Sequence, residues 1–233
     1  KIIIPIENSL AGRVADIHYL IPKYKLQIHS EHFQKVSHNL LGVKGAKIKD
    51  IKTVRSHSQA IDQCRKIISN NNFKTIISAD TAGSAKYVSE KNDITESAIA
   101  SELAAKIYNL EILKSNVEDE FGNTTRFLIL QKDSIHPKLG DKKYITSCIF
   151  KLKSIPAALY KALGGFATNG VNLCKLESFS IKNTFDQVNF YIDIEGHIED
   201  ISLQKALEEL GFHTQKLDIL GVYEAHPFRS KNK

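Results

Sequence analysis

A chain of 233 residues has room for one large or two ordinary domains around a well-buried core. Its 42% hydrophobic and 25% charged residues are ordinary for a globular protein, and no apolar run approaches the roughly 18–20 residues of a membrane-spanning helix. The net charge of +6 is spread over singly placed lysines with no basic block interleaved with aromatics, which argues against nucleic-acid binding and leaves a mild attraction for anions.

No leader-like N-terminus is present, so a cytoplasmic location is expected. Cys64, Cys148 and Cys174 stand far apart with no Cys-x-x-Cys pair, and the nine histidines show no ligand spacing. Buried thiols and no metal are therefore expected.

In chain order, Ile2-Ile3-Ile4 reads as a strand, followed by a helical pattern with Val14, Ile17, Leu20 and Ile21 on one face. Ile51 to Val54 leads into a helix bearing Ile61, Cys64, Ile67 and Ile68, and Thr75-Ile76-Ile77 leads into another over Ala82 to Val88. Ser97 to Tyr108 reads as an Ala-rich helix ending at Asn109, a residue that tolerates the left-handed cap. This alternation predicts an α/β sheet with crossover helices over residues 1–135.

His136 to Lys143, rich in Pro, Gly and Lys, predicts a linker. Beyond it, Tyr144 to Leu152 reads as a strand, and Ser154 and Pro156 open a helix carrying Leu159, Leu163 and Phe166. Asn169-Gly170 turns into a strand over Val171 to Leu176, and Lys182-Asn183-Thr184 turns into the alternating Val188, Phe190, Ile192 and Ile194. A helix over Ile201 to Leu210, stopped by Gly211, precedes a last strand over Leu217 to Val222. The order βαββαβ over residues 144–227 is ferredoxin-like. Residues 228–233 read as a tail, disordered from Arg229 onward.

Small polar residues mark three strand-to-helix junctions: Glu7-Asn8-Ser9, Ser56 to Gln59, and Asp80 to Ser84. In an open α/β sheet, ligands sit at the carboxyl ends of strands, near free helix amides. Each junction also has a purely structural reading, because Ser56-x-x-Gln59 fits a capping box and Thr81 fits an N-cap. A fourth segment, Gly122 to Phe127, presents Thr125, Arg126 and Phe127 at the entrance to an apolar strand. A hydroxyl, a guanidinium and a ring there suit a carboxylated, hydroxylated ring substrate.

Pro5-Ile6-Glu7-Asn8-Ser9, the Ser56-to-Gln63 segment, Ser97 to Ser101, and Thr125-Arg126-Phe127 occur in the order found in prephenate dehydratases, and the second half resembles the ACT domain that follows the catalytic domain in that family. The resemblance implies a two-lobed, periplasmic-binding-protein-like catalytic domain, conversion of prephenate to phenylpyruvate with no cofactor, and a homodimer or homotetramer. Carried over by position, Thr125 is the donor to the departing hydroxyl, Arg126 the carboxylate fork and Phe127 the ring contact. Asn8, Ser56, Gln63 and Thr81 supply neutral hydrogen bonds.

Two departures stand out. The family's opening strand and Gly-rich loop are absent ahead of Lys1, so an upstream segment is expected. The family's phenylalanine-binding motifs, roughly Gly-Ala-Leu and Glu-Ser-Arg-Pro, appear as Ala157-Ala158-Leu159 and Glu177-Ser178-Phe179-Ser180. Asn172-Leu173 and Glu177-Ser178 remain, and weakened phenylalanine inhibition is expected. An arogenate dehydratase and a catalytically decayed ACT-containing binding protein are the alternatives.

Overall fold

The structure, a computed structural model, describes residues 1–10, 12–13, 17–133, 136–180 and 188–231. Val14 and the turn at Lys182-Asn183-Thr184 lie outside the described residues. The chain forms two compact units, one of residues 1–34 with 125–233 and one of residues 35–124.

The first unit opens with β1 (Ile2–Asn8), β2 (Gly12–Arg13), α1 (Leu20–Lys23) and β3 (Gln27–Lys35). The expected strand at Ile2 is thus longer than read, and the helix after it is a single turn. The second unit carries β4 (Asn39–Gly42), β5 (Thr53–Ser56), α2 (Ser58–Asp62), α3 (Arg65–Asn70), β6 (Lys74–Ile77), α4 (Thr81–Lys91), β7 (Glu96–Ala100), α5 (Glu102–Ile107) and β8 (Glu111–Lys114). Its sheet runs β6-β5-β7-β4-β8, with β5 parallel to β6 and β7 and with β4 antiparallel to both β7 and β8.

Two sequence readings change here. The helix expected over Ile61 to Ile68 is two short helices, broken at the buried Cys64. The helix expected over Ser97 to Tyr108 is strand β7 followed by α5. All five β7 residues are buried in a central strand, and short runs of small apolar residues carry no period that separates strand from helix. Asn109 does adopt the expected left-handed conformation, with φ 53°.

The first unit resumes with β9 (Thr124–Gln131), β10 (Tyr144–Leu152), α6 (Ala158–Thr168), β11 (Leu173–Ser180), β12 (Val188–Glu195), α7 (Ile201–His213), β13 (Thr214–Glu224) and α8 (Phe228–Lys231). From β10 to β13 the order is the expected βαββαβ, in a sheet of order β11-β12-β10-β13. Helix α6 starts later than Ser154 and Pro156 indicate, behind Ala157 at φ 57°, and α7 runs past Gly211 to His213.

One face of this sheet packs on α6 and α7 through Cys148, Phe150, Ile192, Phe166 and Leu203. The other face buries Ile145, Tyr191, Leu220 and Tyr223 against Ile6, Ile28, Leu128 and Leu130 of the β2-β1-β9-β3 sheet. The backbones approach so closely that a Cβ on Gly221 would lie 2.2 Å from the Ile28 carbonyl oxygen. This packing unites residues on both sides of the 136–143 connector. The same contact orders residues expected to be a loose tail. Phe228 stacks on Phe33 at 4.7 Å, and the Arg229 guanidinium donates to Glu31 at 2.7 and 2.9 Å. No helix among the described residues is long and apolar enough to cross a membrane.

Candidate active site

Strand periodicity decides what Thr125, Arg126 and Phe127 can do. Along β9 the even-numbered residues from Thr124 to Leu130 are buried and the odd-numbered ones half-buried. Thr125 and Phe127 therefore share one face, while Arg126 points into the opposite one with Leu128 and Leu130. The trio does not stand side by side as its sequence invites.

A bulge in β1 sets the partners. Pairing proceeds from Ile2↔Leu130 to Pro5↔Phe127, skips Ile6, and resumes with Glu7↔Arg126 and Asn8↔Thr125. The extra residue turns Asn8 onto the face of Thr125 and Glu7 onto the face of Arg126. Asn8 Nδ2 donates to Thr125 Oγ1 at 3.0 Å, and Asn8 Oδ1 accepts from the Leu10 amide at 3.0 Å. The amide is thereby oriented, and the Thr125 oxygen is an acceptor whose own hydrogen is left to donate.

Arg126 is 1% exposed, and its guanidinium is fully committed. Nε donates to Glu31 at 2.8 Å, Nη1 to Glu7 at 2.9 Å and to Asp193 of β12 at 2.6 Å, and Nη2 to the Tyr223 hydroxyl at 3.0 Å. Asp193 also accepts from Ser147 and, at 2.6 Å, from Tyr191. Burial by itself lowers the pKa of Arg126, but the charge of Asp193 and the surrounding phenols and Glu31 raise it well above the usual value. For Asp193 burial raises the pKa, and the opposing pull of Arg126 and the hydrogen bonds from Ser147 and Tyr191 holds it below the usual carboxylate range. Glu7 also holds Lys175 at 2.7 Å, which bridges on to Glu177 at 3.0 Å. The expected carboxylate fork is instead the hub of a buried ion cluster tying β9 to the ferredoxin-like sheet. Nothing in the sequence flagged Glu31, Asp193 or Tyr223, which lie 95, 67 and 97 residues from Arg126.

In the second unit, parallel β5, β6 and β7 bring the starts of α2, α4 and α5 to one edge of the sheet. Ser56 ends β5 fully buried, its Oγ donating to the Ile99 carbonyl at 2.6 Å. It does not cap α2; His57 Nδ1 does, accepting from the Gln59 amide at 3.3 Å. Nor does Thr81 cap α4, because Asp80 accepts from the Gly83 amide at 2.5 Å. A Cβ on Gly83 would meet that carboxylate at 2.8 Å, so glycine is what lets Asp80 close over the helix end. Thr81, half-exposed in the first turn, makes no side-chain hydrogen bond among the described residues.

Gln63 is held firmly: its Oε1 accepts from Asn123 Nδ2 at 2.8 Å and lies 2.9 Å from His38 Nε2. With the carbonyl oxygen occupied, the amide nitrogen is presented as a donor. His38 and Asn123 were not singled out from the sequence, although Asn123 lies two residues before Thr125.

The predicted regulatory residues surround the ferredoxin-like module. Ala157, Ala158 and Leu159 start α6, Ala157 in a left-handed conformation natural to the glycine of the family's motif. Asn172 is exposed and Leu173 begins β11. Glu177 and Ser178, adjacent in β11, point to opposite sides, and Glu177 pairs with Arg13 at 3.0 Å as well as Lys175.

These features define a class: an α/β ligand-binding scaffold with a polar hydroxyl–amide pair on a strand edge, joined to a ferredoxin-like module. Residues 1–135 match the family model described as prephenate dehydratase. The bifunctional N-acyl-homoserine lactone acylase/prephenate dehydratase of Komagataeibacter europaeus is 45% identical over 97% of this chain and 80% of its own. The chloroplastic arogenate dehydratase/prephenate dehydratase 1 of Arabidopsis thaliana is 40% identical over 96% of this chain, which spans 60% of that relative. The crystal structure of the Arthrobacter aurescens prephenate dehydratase in complex with L-Phe superposes with a TM-score of 0.81, at 26% identity, over 96% of this chain and 74% of its own. The chain belongs to the prephenate dehydratase family of lyases, whose periplasmic-binding-protein-like and ACT architecture it shares.

Proposed function

We propose that this chain carries out the decarboxylating dehydration of prephenate to phenylpyruvate in phenylalanine biosynthesis, with Asn8 and Thr125 at the reaction centre. The observation that carries the reading is the 3.0 Å hydrogen bond from Asn8 to the Thr125 hydroxyl. As the ring carboxylate leaves as carbon dioxide, its bonding electrons enter the ring and expel the ring hydroxyl, with aromaticity as the driving force. The group needed is a donor placed against the departing oxygen. A threonine whose lone pair is held by an amide offers its hydrogen in a fixed direction. Its ordinary, high pKa makes it a polarising donor rather than a full general acid.

Phe127, on the same face of β9, is assigned the ring contact. Arg126 is assigned the positioning of β9, and family resemblance assigns Ser56, Gln63 and Thr81 hydrogen bonds to substrate. Residues 144–227 are taken as an ACT domain that binds phenylalanine near Ala157 to Leu159, Asn172-Leu173 and Glu177-Ser178, in a cytoplasmic homodimer or homotetramer.

The test is turnover of prephenate and arogenate side by side by the full-length protein. Phenylpyruvate absorbance with prephenate as the faster substrate supports the reading. Faster turnover of arogenate, or phenylalanine binding by calorimetry without turnover of either compound, overturns it. The 45% identity to the bifunctional relative favours a second reading, hydrolysis of an N-acyl-homoserine lactone. It would have to proceed without a thiolate, since burial pushes Cys64 up to about 12, Cys174 up to about 11, and Cys148 upward as well. A lactone-hydrolysis assay separates the two.

A further inference from the structure

The face of the ferredoxin-like sheet that meets α1 is not filled along its whole length. At the Lys23 end of α1 lies a cavity of about 440 Å³, within the roughly 300–1,000 Å³ of small-molecule sites. Its walls are mainly apolar, formed by Tyr19, Pro22, Ile149, Phe150 and Phe179. Asn189 of β12 also lines it, only 6% exposed, with a side-chain amide that has no hydrogen-bond partner among the described residues. A buried amide without a partner is costly, and native proteins satisfy nearly all such groups. Here the satisfaction must come from what enters the cavity.

The charge around it selects the occupant. Lys23, Lys151 and Lys216 line the cavity against a single carboxylate, Asp218, which lies 2.5 Å from Lys216. Three ammonium groups against one carboxylate leave a net positive rim around an apolar floor. An anion is favoured over a cation, and over an amino acid whose own ammonium would meet the same field.

We propose that this cavity binds a small apolar carboxylate, a hydrocarbon ring on a short acid-bearing stem. The ring lies against Ile149, Phe179 and Pro22, the carboxylate faces Lys23 and Lys216, and one of its oxygens accepts from the Asn189 amide. None of these residues belongs to the proposed reaction centre or to the family's phenylalanine motifs, except Phe179, which stands where the Glu-Ser-Arg-Pro motif has arginine. The proposal does not rest on the assigned reaction.

Calorimetry of the full chain with 3-phenylpropionate, and with 3-phenylpropylamine as the cationic control, tests it. The acid is expected to bind and the amine not to. Lys23→Glu, an exposed change, and Asn189→Leu are each expected to weaken the acid by about tenfold, the usual worth of a charge-assisted hydrogen bond. Thr125→Val should leave that binding unchanged, and Lys23→Glu should leave prephenate turnover unchanged. Equal binding of the amine, unaltered affinity in both Lys23→Glu and Asn189→Leu, or loss of binding in Thr125→Val would each overturn the proposal.

Discussion

Replacing Arg126 with methionine keeps much of the side chain's volume and removes only the guanidinium. The consequences differ among its partners. Glu31 retains two bonds from Arg229, at 2.7 and 2.9 Å, and Glu7, partly exposed, retains Lys175 at 2.7 Å. Asp193, with a side chain at 0% exposure, keeps only Ser147, Tyr191 and a guanidinium nitrogen of Arg229 at 3.9 Å. One buried carboxylate is thus left nearly unpaired, and breaking a buried pair in this way costs about 3–5 kcal/mol. Urea unfolding followed by circular dichroism should show that loss. Adding Asp193→Asn to Arg126→Met should recover part of it, with a coupling of about 1.5 kcal/mol or more between the two sites. If Arg126→Met costs under about 1 kcal/mol and instead raises the KM for prephenate more than about tenfold, Arg126 is a substrate fork and the cluster account is wrong.

Three further outcomes are expected. Gly221→Ala, whose Cβ would lie 2.2 Å from the Ile28 carbonyl, should destabilise by about 1–3 kcal/mol in thermal unfolding; an unchanged Tm would deny the close packing of the two sheets. Ala157→Gly relieves a left-handed alanine at φ 57° and should stabilise by roughly 0.5 kcal/mol, whereas a loss would show that the conformation is not strained. His18 is buried with both ring nitrogens unpartnered, and burial lowers its pKa to about 4, against the opposing pull of Glu177. The unfolded chain therefore takes up the proton first, and stability should fall by up to about 1.4 kcal/mol per pH unit as pH drops from 6.5 towards 4. His18→Phe should flatten that slope, and an identical slope in the variant would contradict the assignment.

The sequence carried the βαββαβ module well, because each strand alternates and each turn has its own chemistry, as at Asn169-Gly170. It carried β7 badly, because Ser97-Ala98-Ile99-Ala100 has neither a helical nor a strand period, and only burial on both faces decides it. At the site, the residue types were legible and their directions were not. Thr125 and Asn8 meet because a bulge at Ile6 re-registers β1, which no local pattern announces. Arg126 looked like a ligand-binding group because guanidinium–carboxylate chemistry was expected of it. The carboxylates were there, but they came from Glu7, Glu31 and Asp193, distant in sequence and joined only by the packing of two sheets.

The central claim is that the Thr125 hydroxyl, oriented by Asn8, polarises the departing oxygen. Its most direct test is steady-state turnover of prephenate by Thr125→Val and Thr125→Ser in the full-length protein. The account predicts that the valine variant loses about 100-fold or more in kcat with KM little changed, while the serine variant keeps most of the activity. A loss of less than about threefold for valine, under ~1 kcal/mol of transition-state stabilisation, would contradict it.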